Sequence, residues 1–253
     1  MPISIIQYIV TLIIGVIVGS FLNVCIYRLP SEQSIVTNSS HCMKCGAKIK
    51  KYDLIPVISW FILRGRCRAC HEKFSIRYPM IELLNGLLWI LSIWRFDMTI
   101  KGILVCFLFS ALIVVFFMDW DTQLINAGVC IIIGLLGVAN MFITKDLKFS
   151  NYLIGAAIVS VPLLLISVIS KEQAMGMGDA YLMAAGGLFL GIKPVTVAIF
   201  IGLILGSIVG LILKYITKSS RFAFGPYLSI GIAVAALYGH EIFDAYLKLV
   251  GFA

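Results

Sequence analysis

From Ser4 to Val24 the chain runs without a single charged side chain. A helix of about 20 such residues matches the roughly 30 Å hydrocarbon core of a bilayer. Read in windows of that size, the sequence offers eight candidate spans, near 4–27, 80–94, 103–118, 127–144, 151–169, 176–192, 194–213 and 223–247. The second is short, and only Lys193 and Pro194 divide the sixth from the seventh. In lipid only helices and closed barrels satisfy their own backbone polar groups. These runs are too long and too unalternating for barrel strands. The expected fold is an all-α polytopic membrane protein with about eight transmembrane helices. Composition agrees: 13% of residues are charged, against about 25% in a soluble domain. The first run has neither a cationic leader nor a small-residue cleavage site, so it reads as a retained span and not a signal peptide.

The cations set the expected orientation. Segment 28–79 carries ten of the twenty Lys and Arg residues, and loops rich in them stay in the cytoplasm. Lys171, Lys214, Lys218 and Arg221 fall in further loops on that side. The net charge of +8 therefore reads as a topology signal, with attraction to anionic membrane lipids as a secondary effect and no nucleic-acid partner expected. The expected domains are residues 1–27, a first transmembrane helix; 28–79, a cytoplasmic insert; and 80–253, a helical membrane bundle. No low-complexity tract or convincing internal repeat appears. Ala184, Ala185, Gly186, Gly187, Gly202 and Gly206 are expected to let helices approach closely.

Four of the seven cysteines form Cys42-Met-Lys-Cys45 and Cys67-Arg-Ala-Cys70. Paired Cys-x-x-Cys motifs are the spacing of a structural zinc site, and four thiolates close a tetrahedral Zn²⁺ to substrate. The competing reading is two disulfides, which a reducing compartment disfavours. An insert of this size buries little core, so the metal would supply folding energy. Lys44, Arg66 and Arg68 are placed to offset the thiolate charge. His41 and His71 flank the ligands and read as bystanders. Cys25, Cys106 and Cys130 lie in spans and read as core thiols.

Two aspartates sit at the edges of apolar runs: Asp119 in Phe-Phe-Met-Asp-Trp-Asp and Asp179 in Gly-Met-Gly-Asp. A carboxylate at bilayer depth costs roughly 2.5–3.5 kcal/mol on insertion scales, so one found there usually has a function. The expected orientation puts both at the cytoplasmic edge. Two close carboxylates cannot both ionise cheaply, which suits them to divide acid and base roles in hydrolysis. Gly176 and Gly178 would give backbone or substrate close access to Asp179 through φ > 0 or the missing Cβ. Asp121 competes with Asp119. Two residues on a helix subtend about 200°, so only one can face Asp179, and Asp121 is expected to cap the loop or the next helix.

These residues, in this order, resemble the type 4 prepilin peptidases of peptidase family A24. Members are bifunctional leader peptidase/N-methyltransferases of type IV pilus, competence and type II secretion systems. Gly19-Ser-Phe-Leu-Asn-Val-Cys-Ile-Tyr-Arg-Leu-Pro30, the cysteine pairs, Ile76-Arg-Tyr-Pro-Met-Ile-Glu-Leu-Leu-Asn-Gly86, Asp119, Gly176-Met-Gly-Asp179 and Phe224-Gly-Pro-Tyr227 carry the likeness along nearly the whole chain. The family usually has proline where Asn126 stands and lysine where Tyr181 stands. The resemblance implies catalytic Asp119 and Asp179. It implies a prepilin or pseudopilin substrate, cut on the cytoplasmic side, typically after glycine and before phenylalanine. It also implies methylation of the new N-terminus with S-adenosylmethionine, with Asn23, Tyr27, Arg28 and Glu82 as candidates for that half. Structural readings stand beside these: Tyr27 and Arg28 as headgroup anchors, Glu82 as a partner of Arg28 or Arg77. The expected location is the bacterial cytoplasmic membrane.

Two other classes use some of the same features. A proton- or metal-coupled transporter also needs intramembrane carboxylates, but would show repeat symmetry or matched broken helices, and the sequence shows neither. A zinc-bearing assembly factor would need its cysteines and not its aspartates.

Overall fold

A computed structural model describes residues 4–36, 40–172, 175–217 and 222–251. Among these the chain is helical: α1 Ile5–Arg28, α2 Ile58–Ile62, α3 Arg77–Phe96, α4 Ile100–Thr122, α5 Ala127–Thr144, α6 Phe149–Ile169, α7 Met177–Leu190, α8 Ile192–Thr217 and α9 Gly225–Val250. Each of the eight windows is a helix. Six of them, α1, α4, α5, α6, α8 and α9, are long and apolar enough to cross a membrane. The other two are α3, interrupted by Glu82 and carrying Arg77 and Arg95, and α7, which has 14 residues. At 1.5 Å per residue α7 spans about 21 Å, short of the hydrocarbon core.

The chain divides into two compact units, Met1–Val114 and Val115–Ala253, with the boundary inside α4. In the first unit α1 begins with a capping box. Ser4 accepts from the Gln7 amide, and the Gln7 side chain returns to the Ser4 amide. Helix α3 lies along α1 in close contact. A Cβ on Gly15 would stand 2.9 Å from the Gly86 Cα, and one on Gly19 would stand 2.7 Å from the Glu82 Cα. A buried polar chain ties the pair to Ser110, midway along α4. The Trp89 indole donates to Ser110 Oγ at 2.9 Å, Ser110 donates to Asn85 Oδ1 at 2.8 Å, and Asn85 Nδ2 donates to the Gly15 carbonyl at 2.6 Å. Buried polar groups that are paired in this way fix helix register.

Between α1 and α3 the insert holds two knuckles of the same design, 25 residues apart. His41 and Lys48 bridge in the first, Arg66 and Lys73 in the second. The Cys42 amide donates to the Ala47 carbonyl at 2.9 Å and the Cys67 amide to the Glu72 carbonyl at 2.8 Å. The left-handed turn position is Gly46 in one and His71 in the other, at φ 69° and 58°. This repeat escapes a sequence search because the turn constrains only the cysteines and one backbone conformation. His71 therefore has a turn role. The cations are also engaged: Lys44 pairs with Glu72, and Arg68 grips Asp53 with two bonds of 2.9 and 2.6 Å. That fork holds the Asp53 carboxyl below the usual carboxylate range.

In the second unit the short α7 is packed by α5, α6, α8 and α9. Glycines permit this: the Gly137 site meets the Phe189 amide at 2.8 Å, and Gly186 meets Ile232. Helices α7 and α8 are joined by Gly191 alone, at φ 79°. A Cβ there would reach 2.5 Å from Asn151 Oδ1, the atom that accepts from the Ile192 amide at 2.9 Å and caps α8. The division between the sixth and seventh windows is thus Gly191. Lys193 and Pro194 belong to the first turn of α8, where proline's missing N–H costs nothing, and Lys193 pairs with Asp244 at 2.8 Å. Lys218 and Arg221, two of the cations expected on the inner side, lie outside the described residues.

Candidate active site and metal centre

Asp119 lies in the last turn of α4 and is 5% exposed; Asp179 lies in the first turn of α7 and is 7% exposed. The two carboxylates are within electrostatic reach of each other. Each also stands at the positive end of a helix. Asp119 Oδ2 accepts from the Gly225 amide at 2.9 Å, one of the unsatisfied donors that open α9. Asp179 is the third residue of α7, with the Gly176 backbone as donor. Asp121, the competitor, is exposed. The cap of the next helix is not Asp121 but Asn126, whose Oδ1 accepts from the Gly128 amide at 2.8 Å.

The glycines act through space and not through unusual backbone angles. Gly176 has φ −73°, and Gly178 is not among the residues with positive φ. A Cβ on Gly178 would lie 2.8 Å from the Ile125 Cβ. One on Gly225 would lie 2.8 Å from Asp119 Oδ2 and 3.0 Å from the Ile125 Cδ1. Ile125, in the link between α4 and α5, thus packs against both glycines that flank the acids. Sequence reasoning passed over Ile125, although a branched apolar residue in a polar turn six positions after Asp119 was a signal. Cys130 is buried and lies in the field of Asp179.

The sulfurs of Cys42, Cys45, Cys67 and Cys70 all lie within 4.8 Å of one another. Cys42 Sγ and Cys70 Sγ are 3.7 Å apart, where a disulfide would be about 2.05 Å. Zinc–sulfur bonds of about 2.3 Å in a tetrahedron require sulfurs about 3.8 Å apart, so the donor set fits a metal such as zinc. Backbone amides of Cys45 and Lys44 pull the Cys42 thiol down to about 6. Cys70 is pushed up to about 12: the Glu72 amide opposes this, but burial and the neighbouring sulfurs outweigh it. A dication held by the four sulfurs would remove that conflict by favouring the thiolate form of each.

In the same unit a cavity of about 1000 Å³ lies between the knuckles and the ends of α1 and α3. Asn23, Tyr27, Arg28 and Glu82 all line it. Asn23 Nδ2 donates to the Tyr78 carbonyl at 3.2 Å, and Arg28 Nη1 donates to the Ser34 carbonyl at 3.1 Å. Glu82 Oε2 accepts from the Val57 amide at 2.7 Å.

Comparison with known proteins decides the kinship. A sequence model described as the bacterial peptidase A24 N-terminal domain matches residues 13–96, and one described as the type IV leader peptidase family matches residues 106–211. Proteins named prepilin leader peptidase/N-methyltransferase from Neisseria gonorrhoeae and Legionella pneumophila are 32% and 31% identical to this chain. They cover 86% and 95% of it, and the chain covers 86% and 94% of them. The chain belongs to the prepilin leader peptidase/N-methyltransferase family. A member from Bacillus subtilis is 29% identical over 94% of the chain and 96% of its own length. No solved structure matches.

The two departures from the usual prepilin peptidase pattern now have surroundings. Asn126 supplies a side-chain cap where proline would instead preset φ, and its own φ of −75° lies within proline's range. Tyr181 is exposed on α7, its hydroxyl 4.0 Å from the Met177 sulfur.

Proposed function

We propose that the chain is an aspartic endopeptidase that removes the basic leader from type IV prepilins or pseudopilins at the cytoplasmic face of the bacterial inner membrane. Asp119 and Asp179 carry the reaction. The observation behind this reading is that two buried carboxylates on different helices lie within electrostatic reach of each other, each near helix-terminal donors. The ionised carboxylate takes a proton from water, whose oxygen attacks the scissile carbonyl. The protonated carboxyl gives its proton to the carbonyl oxygen, and collapse expels the amine, which takes up a proton. No covalent intermediate is required.

The same chain then methylates the freed N-terminus. The cavity of the first unit suits methyl transfer, because it combines a buried carboxylate, Glu82, for an ammonium group with Arg28 for a carboxylate and aromatic walls at Tyr27 and Trp60. S-adenosylmethionine supplies an electrophilic methyl group when bound. Glu82 holds the peptide ammonium and receives a proton from it. Zinc at the four cysteines is structural.

Membranes holding wild type, Asp119→Asn or Asp179→Asn, given a prepilin peptide and S-adenosylmethionine, test both halves by mass spectrometry. Leader loss with the wild type alone is expected, followed by the methyl increment. Cleavage by either variant would refute the two-acid mechanism.

A further inference from the structure

The insert does not stay above the ends of α1 and α3; part of it reaches down beside them. The contact of Gly19 with Glu82 puts Glu82 level with a point nine residues before Arg28, about 13 Å along the helix axis. The Val57 amide donates to the Glu82 carboxylate, so the backbone around Val57 lies within one side chain's reach of that level, on the side toward the start of α3. Val57 holds φ 62° and ψ −57°, a conformation foreign to a β-branched residue, and the carboxylate fixes it there.

The residues brought to this level are apolar and outward-facing. From Leu54 to Leu63 there is no charged side chain. Leu54, Ile55, Ile58, Phe61 and Ile62 are exposed, the last two at 61% and 71%. Cations bound the run on both sides, Lys50 and Lys51 before it and Arg64 and Arg66 after it. Much of the segment's backbone is paired, which lipid favours. The Ser59 amide donates to the Ile55 carbonyl, that of Phe61 to Val57, that of Leu63 to Ser59 and that of Gly65 to Trp60, while Pro56 has no N–H. In its irregular part Leu54, Ile55 and Val57 line the cavity, one of the settings in which non-helical backbone is tolerated at membrane depth.

We propose that Leu54–Ile62 is a re-entrant segment whose outward apolar side chains, Ile58, Phe61 and Ile62, are covered by lipid. They occupy the headgroup–acyl boundary of the leaflet beside the insert, with the flanking cations drawn to anionic headgroups. Depth, apolar exposure and bordering charge all favour lipid over a protein partner. The inference stands on the membrane span of α1 and does not require the methyl-transfer reading.

Two measurements test it. In nanodiscs containing phosphatidylglycerol, hydroxyl-radical footprinting of the unaltered protein should label Met43, 64% exposed in the first knuckle, with loss of labelling at Phe61 and Ile62. Equal normalised labelling at Phe61 and Met43 would overturn the proposal. Photo-crosslinking residues introduced at 61 and at 62, in zinc-loaded protein, should give lipid adducts. Crosslinks to a second copy or to another protein, without lipid adducts, would also overturn it.

Discussion

Gly225 and Asp119, 106 residues apart, meet through a 2.9 Å hydrogen bond from the peptide N–H of one to the carboxylate of the other. No side chain at position 225 is compatible with that approach, because a Cβ would stand 2.8 Å from the same oxygen. Gly225→Ala is therefore expected to leave the helices formed while misplacing Asp119. A hydrogen bond to a charged group is worth about 1.5–3 kcal/mol, which translates to a fall in kcat/KM of roughly 10- to 100-fold. Circular dichroism and leader cleavage on one preparation would check both halves of that expectation.

Asp121→Asn should cleave within about 3-fold of the wild type, since Asp121 faces outward while Asp119 is enclosed. Loss of cleavage in Asp121→Asn with retention in Asp119→Asn would show that the roles are reversed.

Zinc removal should unfold the insert before it touches the chemistry. The knuckles are joined by the sulfurs and the Lys44–Glu72 pair, and the second is tied to the segment between them by the Arg68–Asp53 fork. A chelator, or Cys42→Ser, should make 40–75 protease-sensitive, and readdition of zinc should protect it in the wild type. Thiolates must form for the metal to bind, so affinity should fall as pH drops. A protein stable and cleaving normally without zinc, with the insert still protected, would contradict a structural role.

At position 126 the side-chain cap and proline's fixed φ are alternative solutions to one problem. Asn126→Ala should cost about 1 kcal/mol of stability through the lost cap. Asn126→Pro should cost less, since φ is already −75° and chain entropy is reduced. Thermal unfolding of both variants in one detergent decides this; a larger loss for proline would sink the explanation.

Glu82→Gln should separate the two activities. It keeps an acceptor for the Val57 amide but removes the charge. Methylation of a pre-cleaved peptide is expected to fall at least 10-fold, with cleavage unchanged. Equal loss of both would mean that Glu82 is purely structural.

Helix positions were legible because each apolar window carried its own signal. Each of the eight windows coincides within a few residues with one of the nine helices described, α2 being the one outside them. What escaped the sequence was settled by contacts between distant positions. The α7–α8 joint is Gly191 because Asn151 leaves no room for a Cβ there, and nothing near Gly191 announces that. Gly178 reads as conformational freedom until Ile125 is seen filling its space. The cysteine cluster was legible since ligand spacing is local, whereas the descent of Val57 to Glu82 depends on how α1 and α3 pair.

The Asp119–Gly225 bond also sets an order of events during synthesis. Both acids are made well before Gly225, and at about 5–20 residues per second the interval from Asp119 is roughly 5–20 s. During that time the nascent chain holds Asp119 without its donor. A ribosome stalled before codon 225 should display an inactive protease. On the proposed two-acid mechanism the last helix is thus a built-in delay, and proteolysis waits until Gly225 has reached the membrane.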